Sequence, residues 1–594
     1  MAFFIFLLCT AAVALVTYYL SGKTKETSEG YFLGGRSLTA GVIAGSLLLT
    51  NLSTEQIVGL NGAAFTEGIL VMCWETLAAI AMVVTALFLL PRYLKGGLTT
   101  IPQFLQVRYD TMTKTIATCL FLTGYVVILL PIVLYSGSLA IVTMFDVPEV
   151  FGISQTAALW LCVWMIGIIG SVYAIFGGLK SVAVSDSINA IGLLIGGIMI
   201  PIFGLSYIGE GSVISGISNL YNSAPERFNA IGGPEASVPF STIFTGMMLV
   251  QLFYWGTNQA IIQRALAAEN LKEGQKGLLL AAFFKILGPL ILVLPGMIAF
   301  YLFKGEVKTP DEAYPLLVKT VLPVALIGFF AAVLFGAILS SFNSALNSSV
   351  TLFGLDIYKQ HINPEADEKT VVKYGKLFGL VLAFLSMFIA PFIAKAPDGL
   401  FGYLQEINGC YSIPILTIIV VGYLTKYVPA IAAKVAIILG SVLYAISQFA
   451  LQPYFIYKAK LPLLNELTDG YMAKLKSVDS FSNLSVKQNE LLKGSLNLKD
   501  SSIEGLHNLG AALKIDTSQL DSIIVGAYPH YLHVMAILFV MNVVIMLVIG
   551  MIKPRKIAFE LPYTEQVDIT PYKFAKPVGL FIVIIVTLSY VYFS

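Results

Sequence analysis

Charge is what this 594-residue chain has least of: 12% of its residues are Asp, Glu, Lys or Arg, against 57% hydrophobic. With a mean hydropathy of +0.83, that scarcity excludes a water-soluble domain and describes a polytopic membrane protein. The net charge is only +2 and the basic residues are spread along the loops, which excludes nucleic acid as a partner and gives no signal for an acidic one. The five cysteines, Cys9, Cys73, Cys119, Cys162 and Cys410, all fall inside apolar runs, so no disulfide framework is expected and they read as small packing residues. Four histidines without ligand spacing argue against a metal centre. No nucleophile–base set is present, so the chain is not expected to be an enzyme, nor to carry an organic cofactor.

What is present is a succession of apolar runs long enough to cross a bilayer, about fourteen of them by windowed hydropathy. They fall near 2–20, 38–62, 68–91, 114–143, 154–175, 183–206, 240–263, 277–303, 320–355, 377–394, 398–424, 435–451, 527–551 and 577–593. The first has no basic n-region before it, and its basic residues follow it, so it reads as a retained helix rather than a signal peptide. Alternate loops hold nearly all the loop lysines and arginines, whereas the short loops between them hold only Arg227, Lys304, Lys308, Lys319 and Lys395. That asymmetry predicts both termini outside. The stretch 452–526 differs from its surroundings, being rich in Lys, Asp, Ser and Asn with leucines at helical spacing. It is expected to form an extracytoplasmic helical insert.

One basic residue has no loop to sit in. Lys285 lies inside the apolar run from Gly277 to Leu302, about nine residues beyond Lys276 and so roughly 13 Å into the bilayer. An ammonium at that depth is costly and faces a polar cavity or a partner; the runs Thr50 to Gln56 and Trp74-Glu75 offer such partners. Two apolar runs are also interrupted. In one, Val42 to Leu49 leads into Thr50, Asn51, Ser53, Thr54, Glu55 and Gln56; in the other, Met247 to Val250 leads into Gln251, Tyr254, Gly256, Thr257, Asn258 and Gln259. These breaks stand about 200 residues apart, each in the first of five helices. Paired broken helices are the mark of a transporter built from an inverted repeat, in which unwound carbonyls line an ion or solute site. Ser340 and Ser341, within a long apolar helix, offer further neutral oxygens of the kind a hard cation such as sodium prefers, although a serine in a membrane helix also bonds its own turn.

The stretches Tyr31 to Ser37, Asn51 to Gln56, Tyr173 to Lys180, Phe253 to Arg264 and Asp356 to Lys359 resemble the solute:sodium symporter family, which includes the sodium/glucose cotransporters. The likeness is greatest to its bacterial sodium/galactose branch. It runs from about residue 30 to 450 and resumes in the last two helices, leaving the insert outside. The resemblance implies an all-α membrane protein with the 5+5 inverted repeat of the bacterial leucine transporter, preceded by one extra helix and followed by three. On that plan, 1–37 holds the extra helix and its loop. The repeats occupy 38–206 and 240–424 with an external loop at 207–239, and an additional helix lies at 425–451. The insert then fills 452–526, and two helices close the chain at 527–594.

The resemblance also implies site residues. Sodium, the coupling ion, would be held by the carbonyls of Leu49, Leu52 and Ala337 and the hydroxyls of Ser340 and Ser341. The solute would meet Asn51, Gln56, Glu75, Gln251, Lys285 and Gln405, with Tyr254 as a gate, and Asp186 and Arg264 would serve gating or coupling. A set of amides and carboxylates around an aromatic face suits a sugar or polyol. Against the galactose pattern, Leu129 and Ala78 stand where an asparagine and a serine are expected, and Gln251 where the asparagine is shorter, so galactose itself is in question. A bacterial inner-membrane location follows from the resemblance. A proton-coupled carrier using Glu55, Glu75 or Asp186, a symporter for a non-sugar solute, and a solute sensor or channel remain as alternatives.

Overall fold

The computed structural model describes residues 1–21, 27–307, 309–395, 400–476, 506–507, 511, 513 and 515–594. The expected insert therefore lies partly outside the described residues; its described parts include the helices Gln452–Lys476 and Leu520–Ala527, joined by a small apolar cluster that includes Leu464, Leu467, Leu506 and Leu520. Among the described residues there is no strand, only an isolated bridge between Leu38 and Ala268. In lipid this is the expected outcome, because a helix satisfies its own backbone.

Eleven helices among the described residues are long and apolar enough to span a membrane, or twelve if the bent pair Leu271–Ile286 and Gly288–Phe303, inclined by 51°, is one span. The reading of about fourteen runs differs because two of them are not continuous helices. Ala40–Asn51 is separated from Thr54–Glu67 by Leu52 (φ −76°, ψ 51°) and Ser53 (φ −83°, ψ 178°). The run 240–263 divides into short helices, with Met248–Gly256 and Gln259–Leu266 separated by Thr257 and Asn258. Thr54–Lys95 passes the length test as one stretch, although Gly68 within it takes φ 79°, a conformation that favours glycine.

The break at Asn258 is held from both sides. Asn258 Oδ1 accepts from the Ala260 amide at 3.1 Å, capping the next helix, and from the Tyr125 hydroxyl at 2.6 Å, so the orphan donor of a new helix start is satisfied within the bundle. The long helix Gln155–Ile208, interrupted at Gly178 (φ 65°), packs against both Val324–Thr351 and Ala40–Asn51. It therefore presses the serine-bearing helix and the broken helix together. At one end of the bundle, Lys114 and Asp356 form a buried ion pair at 3.0 Å, to which Thr100 Oγ1 adds a donor at 2.9 Å.

Arg108 is fully buried and donates to the carbonyls of Gly422 (2.8 Å), Val428 (3.0 Å) and Thr425 (3.1 Å), tying the end of Ile101–Arg108 to the turn after Leu424. Arg108→Leu would strand these carbonyls, at about 1–3 kcal/mol for each one left unsatisfied. A fall in the thermal midpoint of the purified protein in detergent is expected; an unchanged midpoint would show that the turn rearranges freely.

Candidate functional site

The first half of the site forms where the broken helix meets Val324–Thr351. Ser341 Oγ donates to the Thr50 carbonyl at 2.8 Å, and the Thr50 hydroxyl shares hydrogen bonds with Ser340 Oγ at 3.2 Å and Ser344 Oγ at 3.1 Å. Leu49, Leu52 and Ala337 are buried at the same junction. The last carbonyls of a helix lack the partner one turn on that the others have, so the end of Ala40–Asn51 sets carbonyl oxygens beside two hydroxyls. These are neutral, hard donors that fit sodium.

Asp186 and Arg264 adjoin this junction. Ser46 Oγ donates to Asp186 Oδ2 at 2.6 Å, Arg264 Nε donates to Ser46 Oγ at 2.8 Å, and the Arg264 guanidinium stands 3.8 Å from Asp186 Oδ2. Arg264 also donates to Ser344 Oγ and to the Ala260 carbonyl. Ser46 and Ser344 are thus members of the network that sequence reasoning did not name, and Thr50, named there only as part of the helix break, joins them. Their signal was spacing: Ser46 precedes Thr50, and Ser340 precedes Ser344, by one helical turn.

The second half is a small pocket lined by Asn51, Gln56, Trp74, Ala78, Val250, Gln251, Tyr254, Trp255, Phe401 and Gln405. The structure thus gathers four expected amide side chains and the expected tyrosine around one cavity. Asn51 Nδ2 donates to the Tyr254 hydroxyl at 3.2 Å, and Gln251 Nε2 donates to the Trp74 carbonyl at 2.9 Å. The rings of Trp74 and Phe401 meet edge to face at 5.0 Å. The cavity holds about 30 Å³, room for a water or two, so a solute enters only when these side chains part.

Lys285 and Glu75 do not line the pocket. They stand behind Gln56, whose Nε2 donates to Glu75 Oε1 at 2.8 Å, while Lys285 Nζ donates to Glu75 Oε2 at 2.5 Å. Both are buried, and the ammonium sits 5.5 Å from the Trp255 ring centroid, where a cation–π contact adds to the pair. The cost of a deep lysine is therefore met by a carboxylate rather than by snorkelling. Ala78 lines the pocket and offers no hydroxyl, whereas Leu129 lies outside it, in the helix turn Tyr125–Leu129.

Room for the pair depends on Gly288, at the bend of the helix pair. A Cβ there would overlap the Glu75 carboxylate and lie 3.0 Å from its Cβ. Gly288→Ala is expected to cost about 1–3 kcal/mol, as overpacking does, and to reduce transport. Wild-type stability together with wild-type uptake would refute this dependence.

Residues 31–440 match the sequence profile of the sodium:solute symporter family. The uncharacterized symporter YidK of Escherichia coli (strain K12) is 44% identical over 96% of this chain and 86% of that protein. The sodium/glucose cotransporter of Vibrio parahaemolyticus is 31% identical over 79% of this chain and 86% of that protein. Among solved structures, a Na+-coupled sialic acid symporter in a substrate-bound, outward-open state superposes with a TM-score of 0.65 at 20% identity, covering 75% of this chain and 92% of that one. That likeness is one of fold: the broken helices here belong to the leucine-transporter type of architecture.

Proposed function

Because the chain belongs to the sodium:solute symporter family, we propose that it imports a neutral sugar or polyol together with sodium by alternating access, from the outer face of a bacterial inner membrane. The observation that carries this reading is the junction itself. Helix-end carbonyls and the Ser340 and Ser341 hydroxyls meet one residue away from Asn51, so one helix break serves both an ion and a solute.

The solute class follows from the pocket's chemistry. Asn51, Gln56, Gln251 and Gln405 each offer a donor and an acceptor, and the rings of Tyr254, Trp74, Trp255 and Phe401 offer apolar faces. Hydroxyls arranged around a ring meet both demands. Lys285 and Glu75, the ion pair behind Gln56, are committed to each other, so neither of these two charges is spare for a carboxylate or ammonium. The solute therefore draws on Glu75 and Lys285 through Gln56, which releases Glu75 as it turns toward the solute.

In the cycle, sodium joins Leu49, Leu52, Ala337, Ser340 and Ser341 and fixes the end of Ala40–Asn51, which sets Asn51 and Gln56 for solute. Trp74 and Phe401 close the pocket on one side, and Tyr254 parts from Asn51 to open it on the other. Arg264 and Asp186 adjust as the ion arrives. One sodium crossing about 100 mV supplies about 2.3 kcal/mol, and a tenfold sodium gradient adds about 1.4 kcal/mol. Together they sustain a solute gradient of roughly 500-fold. Both termini lie outside on this reading.

The test is uptake into proteoliposomes with a tenfold inward sodium gradient. Tyr254→Phe removes the hydroxyl that Asn51 meets and is expected to raise the half-saturating solute concentration several-fold without abolishing sodium dependence. Unchanged kinetics would remove Tyr254 from the solute path.

A further inference from the structure

The helix Glu368–Ile389 and the long helix Gln155–Ile208 leave between them a groove of about 570 Å³. Ile175, Val372, Leu377 and Leu380 form its apolar wall, and Lys369, Lys373 and Lys376 its basic one. Positions 369, 373, 376 and 380 recur every three or four residues, so they follow one stripe of the helix. The stripe is basic over its first two turns and turns apolar at Leu380. Leu377 and Leu380 are 54% and 48% exposed, so the apolar wall opens towards the bilayer rather than the core.

The three lysines belong to the loops and helix starts that hold most of the basic residues, the cytoplasmic side on the orientation proposed above. Among the described residues no carboxylate lines the groove or pairs with any of the three. The Lys376 ammonium stands 4.8 Å from the Tyr31 ring centroid, and the Tyr31 hydroxyl donates to the Ile175 carbonyl at 2.8 Å. Ile175 precedes by three residues the interruption of the long helix at Gly178, beyond which the chain carries Asp186. The groove therefore abuts that break.

We propose that this groove holds one anionic phospholipid of the cytoplasmic leaflet. Its phosphate meets Lys369, Lys373 and Lys376, and an acyl chain runs along Val372, Leu377 and Leu380 against Ile175. Basic pockets between membrane helices on the cytoplasmic side hold anionic headgroups, and three unpaired ammonium groups favour a net negative headgroup over a zwitterionic one. The apolar continuation of the stripe selects a lipid over a soluble phosphate. Bound there, the lipid clamps Glu368–Ile389 to the turn before Gly178 and steadies the break from which the Asp186-bearing half of the long helix runs. The site is independent of which solute the protein carries.

The experiment is native mass spectrometry of the full chain in detergent, titrated with dioleoylphosphatidylglycerol or dioleoylphosphatidylcholine, with the thermal midpoint measured on the same samples. One phosphatidylglycerol per chain is expected to bind at least tenfold more tightly than phosphatidylcholine and to raise the midpoint. Replacing all three lysines (Lys369→Gln, Lys373→Gln, Lys376→Gln) weakens it roughly 100-fold, the combined effect of three lysines at a membrane surface. Leu380→Trp fills the apolar wall from an exposed position with the lysines intact, and weakens it at least tenfold. Lys553→Gln with Lys556→Gln, exposed lysines outside the groove, binds as the wild type does. Equal binding of the two lipids, or wild-type binding by the triple variant, overturns the site. Wild-type binding by Leu380→Trp reduces it to surface charge alone and overturns the groove. A rise in midpoint as large with glycerol 3-phosphate as with phosphatidylglycerol assigns the lysines to a soluble anion and overturns the lipid.

Discussion

Ser341→Ala is expected to abolish sodium-driven accumulation while leaving the protein folded. Its hydroxyl donates to the Thr50 carbonyl at 2.8 Å, at the end of the helix where oxygens lose their helical partners. Removing it deletes one of two hydroxyl ligands of the proposed ion and frees the end of Ala40–Asn51 from the opposing helix. A lost ligand worth about 1.4 kcal/mol raises the sodium needed for half-maximal uptake tenfold; loss of the helix tether adds to this, so accumulation at ordinary sodium concentrations should vanish. The measurement is uptake against sodium concentration for wild type, Ser341→Ala and Ser340→Ala. The Ser341 variant should fail more severely, because Ser341 Oγ ties the Thr50 carbonyl at the helix end, whereas Ser340 Oγ meets the Thr50 hydroxyl, at 3.2 Å. Wild-type sodium dependence in Ser341→Ala would remove the ion from this junction.

The second large effect concerns the buried pair. Lys285→Met would leave Glu75 charged at mid-membrane with only the Gln56 amide beside it. Breaking a buried ion pair from one side costs about 3–5 kcal/mol, whereas replacing both partners is often neutral. The single variant is therefore expected to lose much of its thermal stability, and Lys285→Met with Glu75→Gln to regain most of it. The double variant should nevertheless transport poorly, since Gln56 would then have no carboxylate to leave or return to. Thermal midpoints in detergent and uptake, measured on the same three proteins, separate the two roles. A double variant no more stable than Lys285→Met would show that the cost is not electrostatic.

Much of this was legible because membrane burial makes polar residues conspicuous. Lys285 stands out in an apolar run, and Glu75 was one of the few carboxylates at comparable depth. The helix breaks showed as clusters of Asn, Thr, Ser and Gln where a span should be uniform, and the family motifs placed the serines. What could not be read was direction. Trp74, Val250, Trp255 and Phe401 line the pocket, yet in sequence they are indistinguishable from residues facing lipid or the bundle core. Likewise Lys285 and Gln56 both read as solute contacts, and only packing shows that Gln56 screens the ion pair from the cavity. Arg264 and Asp186 read as gating or coupling residues only through the resemblance, and nothing in the pattern shows that Arg264 reaches back to Ser46, Asp186 and Ser344; a side chain's reach across helices leaves no periodic trace. The fourteen apolar runs exceed the eleven or twelve continuous spans among the described residues at the two runs whose polar clusters already marked a break. Hydropathy averages over a break of one or two residues, so 40–67 registers as one run despite the turn at Leu52 and Ser53.

The central claim is sodium coupling to a neutral, hydroxylated solute, and uptake of labelled D-glucose, D-galactose, myo-inositol, sialic acid and an amino acid into proteoliposomes tests it most directly. Flux is compared with an inward sodium gradient, with an equal potassium gradient, and with a proton gradient alone. The account predicts accumulation of at least one sugar or polyol above its external concentration under the sodium gradient only. Accumulation driven by the proton gradient and indifferent to sodium, or sodium-driven accumulation confined to sialic acid or the amino acid, would contradict it.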